Sequence, residues 1–218
     1  MKKSQWFCAS LALACASGSA VAQSVGVYGV VGSGGYGVGL NAPLNPMVGI
    51  RGELAQFTGS DTYTEDQITY KGDVKLKGNG LFVDVRPFSG TFRLVGGLGF
   101  GGTSAALDAL ATNGTVTIDG QSFNASGNSL SASIKYPSTM PYVGLGWGHG
   151  RHNEPGWTFA FDLGVSIGKP SVSLTGSGGL LAQPGAAAAI AAEQQKVQDD
   201  LNSAKVLPVV KFSVGYQF

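Results

Sequence analysis

The final segment of the chain, residues 207–218, constrains the fold more than any other stretch. Its side chains alternate in character. One parity is mostly small or polar and carries a single lysine, Lys211, whereas the other is apolar and aromatic: Val210, Phe212, Val214, Tyr216 and Phe218. Because successive side chains of a strand point to opposite faces, this pattern predicts a β-strand with one apolar face. A small opposite face suits the narrow interior of a barrel. The alternative is a soluble edge strand that ends in Phe by chance.

A chain that stops on the outward aromatic of such a strand resembles the C-terminal assembly signal of Gram-negative outer-membrane barrels, in which the terminal residue is Phe. The resemblance implies that the barrel-assembly machinery is a partner and that it recognises this strand through Phe218.

The other end of the chain has the layout of a secretory signal peptide. Lys2 and Lys3 form a basic start, residues 6–16 are apolar, and the small residues at 20–22 fit a cleavage site before Gln23. The apolar run is too short to span a bilayer as a helix. We therefore predict a cleaved leader at 1–22 and a barrel domain at 23–218. Lipidation at Cys15 is a weaker alternative, because the residues before it only partly match a lipoprotein cleavage box.

Composition narrows the class of the mature chain. Both cysteines, Cys8 and Cys15, lie in the leader, so the mature chain has no disulfide framework and no cysteine metal site. Without Lys2 and Lys3 it has 12 basic and 13 acidic residues, a balance that gives no reason to expect nucleic acid as a partner. The full chain of 218 residues has 35 glycines, about twice the average usage, and no apolar run after the leader reaches 18 residues. An exported, glycine-rich chain with alternating strands indicates a transmembrane β-barrel.

The alternating segments predict a single antiparallel transmembrane barrel of 8–10 strands. We expect ten strands if 32–35 is a hairpin, and eight if the N-terminal pair stays out of the wall. The candidate strands are 25–31, 36–40, 47–57, 67–86, 92–100, 130–136, 141–148, 157–167, 172–175 and 207–218.

Several segments break the pattern. Within 67–86 the apolar parity changes near 78–80, which predicts a β-bulge. Residues 58–66 and 103–127 are predicted loops, the second with a small hairpin around Asp119-Gly120. Residues 186–203 have apolar side chains at helical spacing, which predicts a short helix in the long loop before the last strand.

The strand count also predicts which turns lie outside. If Phe218 ends in the periplasm, counting backward places the turn 150–155 on the external side and the turns 137–140 and 87–91 on the periplasmic side. Trp147 and Trp157 flank the predicted external turn with outward parity, as expected of aromatic residues at a membrane interface.

Four parts of the sequence resemble a family of small proteobacterial outer-membrane proteins of undefined function: 83–88 (VDVRPF) with 91–98 (TFRLVGGL), 141–148 (PYVGLGWG), 161–165 (FDLGV) and 207–218. The strand at 141–148 also resembles small barrels of the OmpA and OmpW kind. The resemblance implies a place in the cell outer membrane, with outer-membrane lipid and lipopolysaccharide as partners. It supplies no catalytic, cofactor-binding or metal residue, and we predict no enzyme activity and no cofactor.

Seven charged residues take the inward parity: Arg51, Glu53, Asp84, Arg86, Arg93, Asp162 and Lys211. Buried charges are tolerated only when paired, so we predict a structural network, with an ion pathway as the alternative. His149 and His152 in one polar turn are a weak metal candidate.

The favoured function is therefore a structural or surface-interaction barrel. The second candidate is a small porin-like channel for ions or solutes. A barrel-wall enzyme acting on lipid has the least support, and the extracellular ligand is unknown.

Overall fold

A computed structural model describes residues 25–65, 68–111 and 114–218. The predicted leader, 1–22, lies outside these ranges. The strands are β1 (Gly26–Gly32), β2 (Gly35–Pro43), β3 (Val48–Glu65), β4 (Ile68–Lys77), β5 (Asn79–Val85), β6 (Phe92–Phe100), β7 (Ser104–Ala111), β8 (Thr115–Ile118), β9 (Gln121–Asn124), β10 (Asn128–Lys135), β11 (Thr139–Gly148), β12 (Gly156–Ile167), β13 (Ser171–Ser177) and β14 (Val206–Gln217). A 3-10 turn spans Gly178–Leu180, and the helix α1 spans Ala186–Leu201.

Eight strands close into an antiparallel barrel, which confirms the predicted fold class. Their order around the wall is β1, β2, β3, β5, β6, β11, β12 and β14, and β14 pairs with both β12 and β1 to complete the ring. The N-terminal hairpin β1–β2 is part of this wall. The expectation that its joining would give ten strands was wrong, because two of the predicted wall segments, β10 and β13, pair outside the barrel.

The outside of the barrel is an apolar belt. Large apolar side chains on alternate positions of every wall strand are exposed, among them Val38, Leu54, Leu81, Leu94, Leu163 and Phe212. The intervening positions point inward and are mostly buried or glycine. This inverted arrangement, with apolar residues outside and polar residues inside, is that of a barrel embedded in lipid. No helix in the part of the chain that the structure describes has the length and apolar character to cross a membrane.

Beyond the barrel rim, strands β4, β7, β10 and β13 continue the sheet from the end of β3. We call this part the outer sheet (β3 from Gln56 onward, β4, β7, β10 and β13). Residues 58–66 and 103–127 had been predicted as loops. Instead β3 continues to Glu65, and β7 and the hairpin β8–β9 occupy most of the second segment. The hairpin turns at Asp119-Gly120, as predicted, with both residues at positive φ.

The predicted bulge at 78–80 was wrong. Gln56 pairs with Lys77, and three residues earlier Glu53 pairs with Gly80, so β4 and β5 share one register against β3. What changes is the environment. Inside the membrane the outward face must be apolar, whereas beyond the rim the outward face meets water and the inward face becomes the apolar one. The exchange of apolar parity therefore marks the place where the strands leave the membrane.

The two faces of the outer sheet differ along whole rows of paired residues. One row across the five strands is polar: Thr62, Lys71, Asp108, Ser131 and Thr175. The adjacent row, on the face that continues the barrel interior, is apolar or glycine: Tyr63, Tyr70, Ala109, Leu130 and Gly176. We call this second side the inner face of the outer sheet.

A small second core forms on the inner face. The hairpin β8–β9, the 3-10 turn and α1 cover part of it, and their buried residues form one cluster: Ile118, Phe123, Leu180, Ala186, Ala189 and Ile190. The helix, predicted at 186–203, is confirmed. It also protects the open edge of β13, because Gln198 and Gln194 accept hydrogen bonds from the Val172 and Leu174 amides, each at 2.9 Å.

The positions of the turns assign the two ends of the barrel. Gly26 at the start of β1 pairs with Gln217, so both termini of the described barrel lie at one end, together with the short turns after Pro43, Val85 and Gly148. The outer sheet lies at the other end. Outer-membrane barrels have short periplasmic turns and long external segments, so the end with the outer sheet is the external one.

The predicted position of the tryptophans was therefore wrong. Trp147 pairs with Phe92, and Trp157 pairs with Tyr216, at the same end as the terminus. The turn between them is periplasmic and the segment 137–140 is external. The error arose because β13 was counted as a wall strand, which inverted the predicted directions of β12 and β11. Counting β10 as a second wall strand restored the direction of β6, so the predicted periplasmic position of 87–91 is correct. Trp147 still contacts the rings of Phe92 and Phe161, as in an aromatic girdle at the inner interface.

Candidate functional site: the charged interior of the barrel

The seven charged residues of inward parity all lie inside the barrel and are at most 6% exposed: Arg51, Glu53, Asp84, Arg86, Arg93, Asp162 and Lys211. Sequence parity placed each of them correctly. The structure joins six of the seven by ion pairs, which confirms the predicted paired network. Arg86 instead donates from Nη2 to the Gly150 carbonyl oxygen at 3.0 Å.

Two arginines and two aspartates form a closed ring at the middle of the barrel. Arg93 Nη1 lies 2.9 Å from Asp84 Oδ1, and its Nη2 lies 2.9 Å from Asp162 Oδ1. Arg51 completes the ring, with Nε 2.8 Å from Asp84 Oδ2 and Nη2 3.3 Å from Asp162 Oδ1. Each carboxylate thus contacts two guanidinium groups, so no charge of the ring is left without a partner of opposite sign.

A second group of contacts lies directly above the ring, toward the external end. Glu53 accepts from Arg51 Nη1 at 2.9 Å and from the Tyr28 hydroxyl at 3.0 Å, and its other oxygen pairs with Lys211 Nζ. The Lys211 ammonium lies 4.2 Å from the centroid of the Phe82 ring. An ammonium over an aromatic face is stabilised electrostatically. Lys211 is therefore held both by a carboxylate and by an aromatic ring.

Glycine at inward positions makes room for these long side chains. A Cβ on Gly146 would lie 2.5 Å from both Arg93 Nη2 and Asp162 Oδ1. Glycine there allows the wall to approach the ion pair closely. By contrast, Gly96 faces outward, and a Cβ there would meet nothing within 4 Å. The size of the charged side chains inside the barrel thus explains some of the high glycine content of the chain.

The periplasmic end of the interior is filled by neutral polar groups. Asn41 Nδ2 donates to Gln217 Oε1 at 2.9 Å, and both residues are buried. His149 Nε2 lies 2.9 Å from Arg51 Nη1, and because a guanidinium can only donate, the imidazole is neutral with Nε2 as acceptor. The His149 ring also lies against Tyr28, with 4.5 Å between centroids.

Sequence reasoning did not include Tyr28, Asn41 or Gln217 in the network. Tyr28 and Gln217 have inward parity, so the strand alternation contained the signal for them. His149 was considered only as a metal ligand, with His152. The structure separates the two: His149 enters the barrel, whereas His152 Nδ1 lies 3.3 Å from the Pro43 carbonyl oxygen. Among the described residues, no group of three or more His, Cys, Asp or Glu is arranged to hold a metal ion.

The external mouth of the barrel holds a small cavity of about 90 Å³. It is lined by residues of the rim, such as Ser33, Asn79 and Ser138, and its lining extends inward to Phe82, Tyr142 and Lys211. The Phe82 and Tyr142 rings pack edge to face with centroids 5.2 Å apart. Below these rings lie Glu53 and the ring of arginines and aspartates, so side chains fill the axis from the rings to the periplasmic end.

Comparison with solved structures relates the chain to outer-membrane barrels. No protein-family model and no curated protein matches it. The crystal structure of CarO2 from Acinetobacter baumannii matches with 25% identity and a TM-score of 0.59, over 90% of this chain and 99% of that one. The structure of CarO from the same organism matches with 23% identity and a TM-score of 0.59, over 89% and 98% of the two chains. A major outer membrane protein of Thermus thermophilus also matches, at 15% identity and a TM-score of 0.41, over 91% of this chain and 100% of that one.

The two Acinetobacter structures confirm that the chain has the fold of a small outer-membrane barrel. This is an integral outer-membrane barrel. The apolar belt, the polar interior and the two neighbours agree on that assignment. The more specific likeness to barrels of the OmpA and OmpW kind stays a prediction.

Proposed function

We propose that this protein is a non-conducting outer-membrane barrel with a structural or surface-interaction role. It exerts this role through its external layer, which consists of the outer sheet, the hairpin β8–β9 and α1. The observation that supports this most directly is the ring of Arg51, Asp84, Arg93 and Asp162 across the middle of the barrel. An eight-stranded barrel has an interior just wide enough to be filled by its own side chains. With these four side chains paired across it, the axis has no room for a hydrated ion.

The same contacts argue against a selectivity ring. Charges that line a pore face water and stay free to meet an ion. Here Arg93 is completely buried and Asp84 and Asp162 are at most 2% exposed, and each is held by two partners. To pass an ion, the barrel would have to break several buried ion pairs at once.

The external layer is the part of the molecule with room for a partner. The outer sheet, α1 and the hairpin β8–β9 all lie beyond the membrane belt. The Lys196 ammonium of α1 pairs with Asp119 of the hairpin, and this hydrogen bond raises the pKa of Lys196. We propose no enzymatic step. Outer-membrane lipid and lipopolysaccharide contact the apolar belt, and the barrel-assembly machinery recognises β14.

Planar-bilayer recordings of the purified protein test the proposal. We expect no stable conductance steps, with a wide porin reconstituted in the same bilayers as the positive control. A channel would give a stable conductance whose ion selectivity changes in Arg93→Met at nearly unchanged thermal stability. That result would overturn the proposed closed interior.

A further inference from the structure

The external layer contains a cavity that the barrel does not need for its own closure. It has a volume of about 280 Å³ and lies between the inner face of the outer sheet and the hairpin β8–β9. The sheet contributes Ile68, Tyr70, Leu107 and Leu130, and the roof includes Val116 and Leu180. The cavity is partly open to solvent, since Leu107 in its lining is 41% exposed. Covering apolar surface that is in contact with water is favourable, so this lining favours an occupant.

The cavity exists because its floor is made of small residues. Ala109 and Ala111 of β7 and Ala132 of β10 lie on the inner face, between the larger side chains around them. Ala109 pairs with Tyr70 and Leu130, and Ala132 pairs with Leu107 and Leu174. Ala111 pairs with Ile68 and Asn128. The second core thus carries bulky side chains at its edges and only methyl groups at this centre.

The lining favours an apolar occupant over water. The described residues that line the cavity carry no charge. Two of its polar side chains are already bonded elsewhere: Asn128 Nδ2 donates to the Asn124 carbonyl oxygen at 3.1 Å, and the Ser129 hydroxyl pairs with Ser177. A buried water requires two to four polar partners. This lining offers few.

The position of the cavity excludes a lipid chain as the occupant. The outward face of the strands changes from apolar to polar near Leu76, and Tyr70 lies six residues farther out on β4. At about 3.3 Å per residue, this is roughly 20 Å beyond the rim. The opposite side of the sheet there carries Lys71 and Asp108, which require water. The occupant must therefore come from the external medium.

From these observations we propose that the cavity binds a small, uncharged apolar molecule of about ten carbon atoms, such as a two-ring aromatic compound. An apolar cavity of about 150 Å³ holds benzene, so a cavity of nearly twice that volume takes two fused rings. Tyr70, stacked on Tyr63 with 5.0 Å between ring centroids, places an aromatic ring at one wall. The inference rests on the proposed surface-interaction role only in placing the outer sheet outside the membrane, and it holds whether or not the barrel conducts.

Methyl-resolved NMR of the detergent-solubilised protein, titrated with naphthalene, tests the proposal. We expect saturable shifts at Ile68, Leu130 and Leu180, which line the cavity. The belt residues Leu94 and Leu163 report partitioning of naphthalene into the detergent, so their shifts should stay linear with concentration. Shifts that are linear at all five residues, or that saturate only in the belt, would overturn the proposal.

A matched pair of variants on one strand locates the site. Ala109→Leu adds three carbon atoms at the centre of the cavity and should weaken naphthalene binding by about tenfold or more, because the remaining space is too small for two fused rings. Ala106→Leu adds the same side chain on the opposite face of β7, beside Ser133 and Asp73, and should bind as the unchanged protein does. Equal affinity in both variants would refute the assignment. If Ala109→Leu alters the Ile190 methyl signal, and with it the second core, Ala132→Leu replaces it and the same criteria apply. Bilayer recordings are independent of this titration, so failure here leaves the closed-barrel proposal standing.

Discussion

Replacing Arg93 with Met is the sharpest test of the interior network. Arg93 is completely buried and forms two ion pairs at 2.9 Å, with Asp84 and Asp162. Its removal leaves two buried carboxylates that share the single guanidinium of Arg51. Breaking a buried pair by removing one partner costs about 3–5 kcal/mol. Methionine is long enough to fill most of the vacated space, so the cavity contributes little to this value. We therefore expect the free energy of unfolding to fall by about 3–5 kcal/mol.

Urea unfolding in phospholipid vesicles, followed by tryptophan fluorescence, measures the loss. With a slope of about 1–3 kcal/mol/M, the midpoint should fall by about 1 M or more. Leu94→Met, at the next position on β6 but facing lipid, is the matched control and should stay within about 1 kcal/mol of the unchanged protein.

A double-mutant cycle separates the network from general packing. Asp84→Asn removes one of the two carboxylates that Arg93→Met leaves underpaired, so the double variant should be less destabilised than the sum of the single variants. The coupling should be about 1–3 kcal/mol, as expected of residues in one ion-pair network. Strict additivity, or a loss below about 1 kcal/mol in Arg93→Met alone, would refute the reasoning.

Three further predictions concern assembly, wall packing and edge protection. Phe218→Ser should lower insertion into the outer membrane while export continues, measured by fractionation and heat-modifiable migration on a gel; unchanged surface abundance would contradict it. Gly146→Ala should cost about 1–3 kcal/mol of stability because its Cβ meets the ion pair, whereas Gly96→Ala, facing outward, should not; equal effects in urea unfolding would refute the steric argument. Replacing Gln194 and Gln198 together with Ala should speed hydrogen exchange of the Val172 and Leu174 amides of β13, which donate to these side chains, while β12 amides stay protected. An unchanged rate would show that the helix does not protect this edge.

The interior was predictable from the sequence because parity is a local property. Once a strand is recognised, every second side chain shares one face, so the inward placement of Arg93, Asp84 and Lys211 followed without any knowledge of the neighbours. The low dielectric of a barrel interior then required these charges to pair. The acidic partner of Arg93 could not be named from the sequence, because cross-strand register is not a local property. The structure shows that Arg93 pairs with both Asp84 and Asp162.

The outer sheet was not predicted for a related reason, although β10 and β13 had been predicted as wall strands; β7 and the end of β3 had been expected as loops. β7 and β10 are rich in Ala and Ser, residues with weak strand preference, and they form a sheet only because β4 and β13 offer partners. Their stability comes from tertiary pairing and from the hairpin and helix that cover one face.

Sequence alone determined the membrane barrel, its inward charges and the helix before the last strand. Each of these depends on the spacing of apolar and polar residues within a single strand or helix. Tertiary structure decided the strand count, the directions of β11 and β12, and the cavity beyond the rim. These depend on which strands pair, and one misassigned strand, β13, was enough to invert the predicted position of Trp147. The apparent slip at 78–80 shows the distinction most clearly: the register of β3 with β4 and β5 is unbroken, and the apolar face changes because the strand passes from lipid into water.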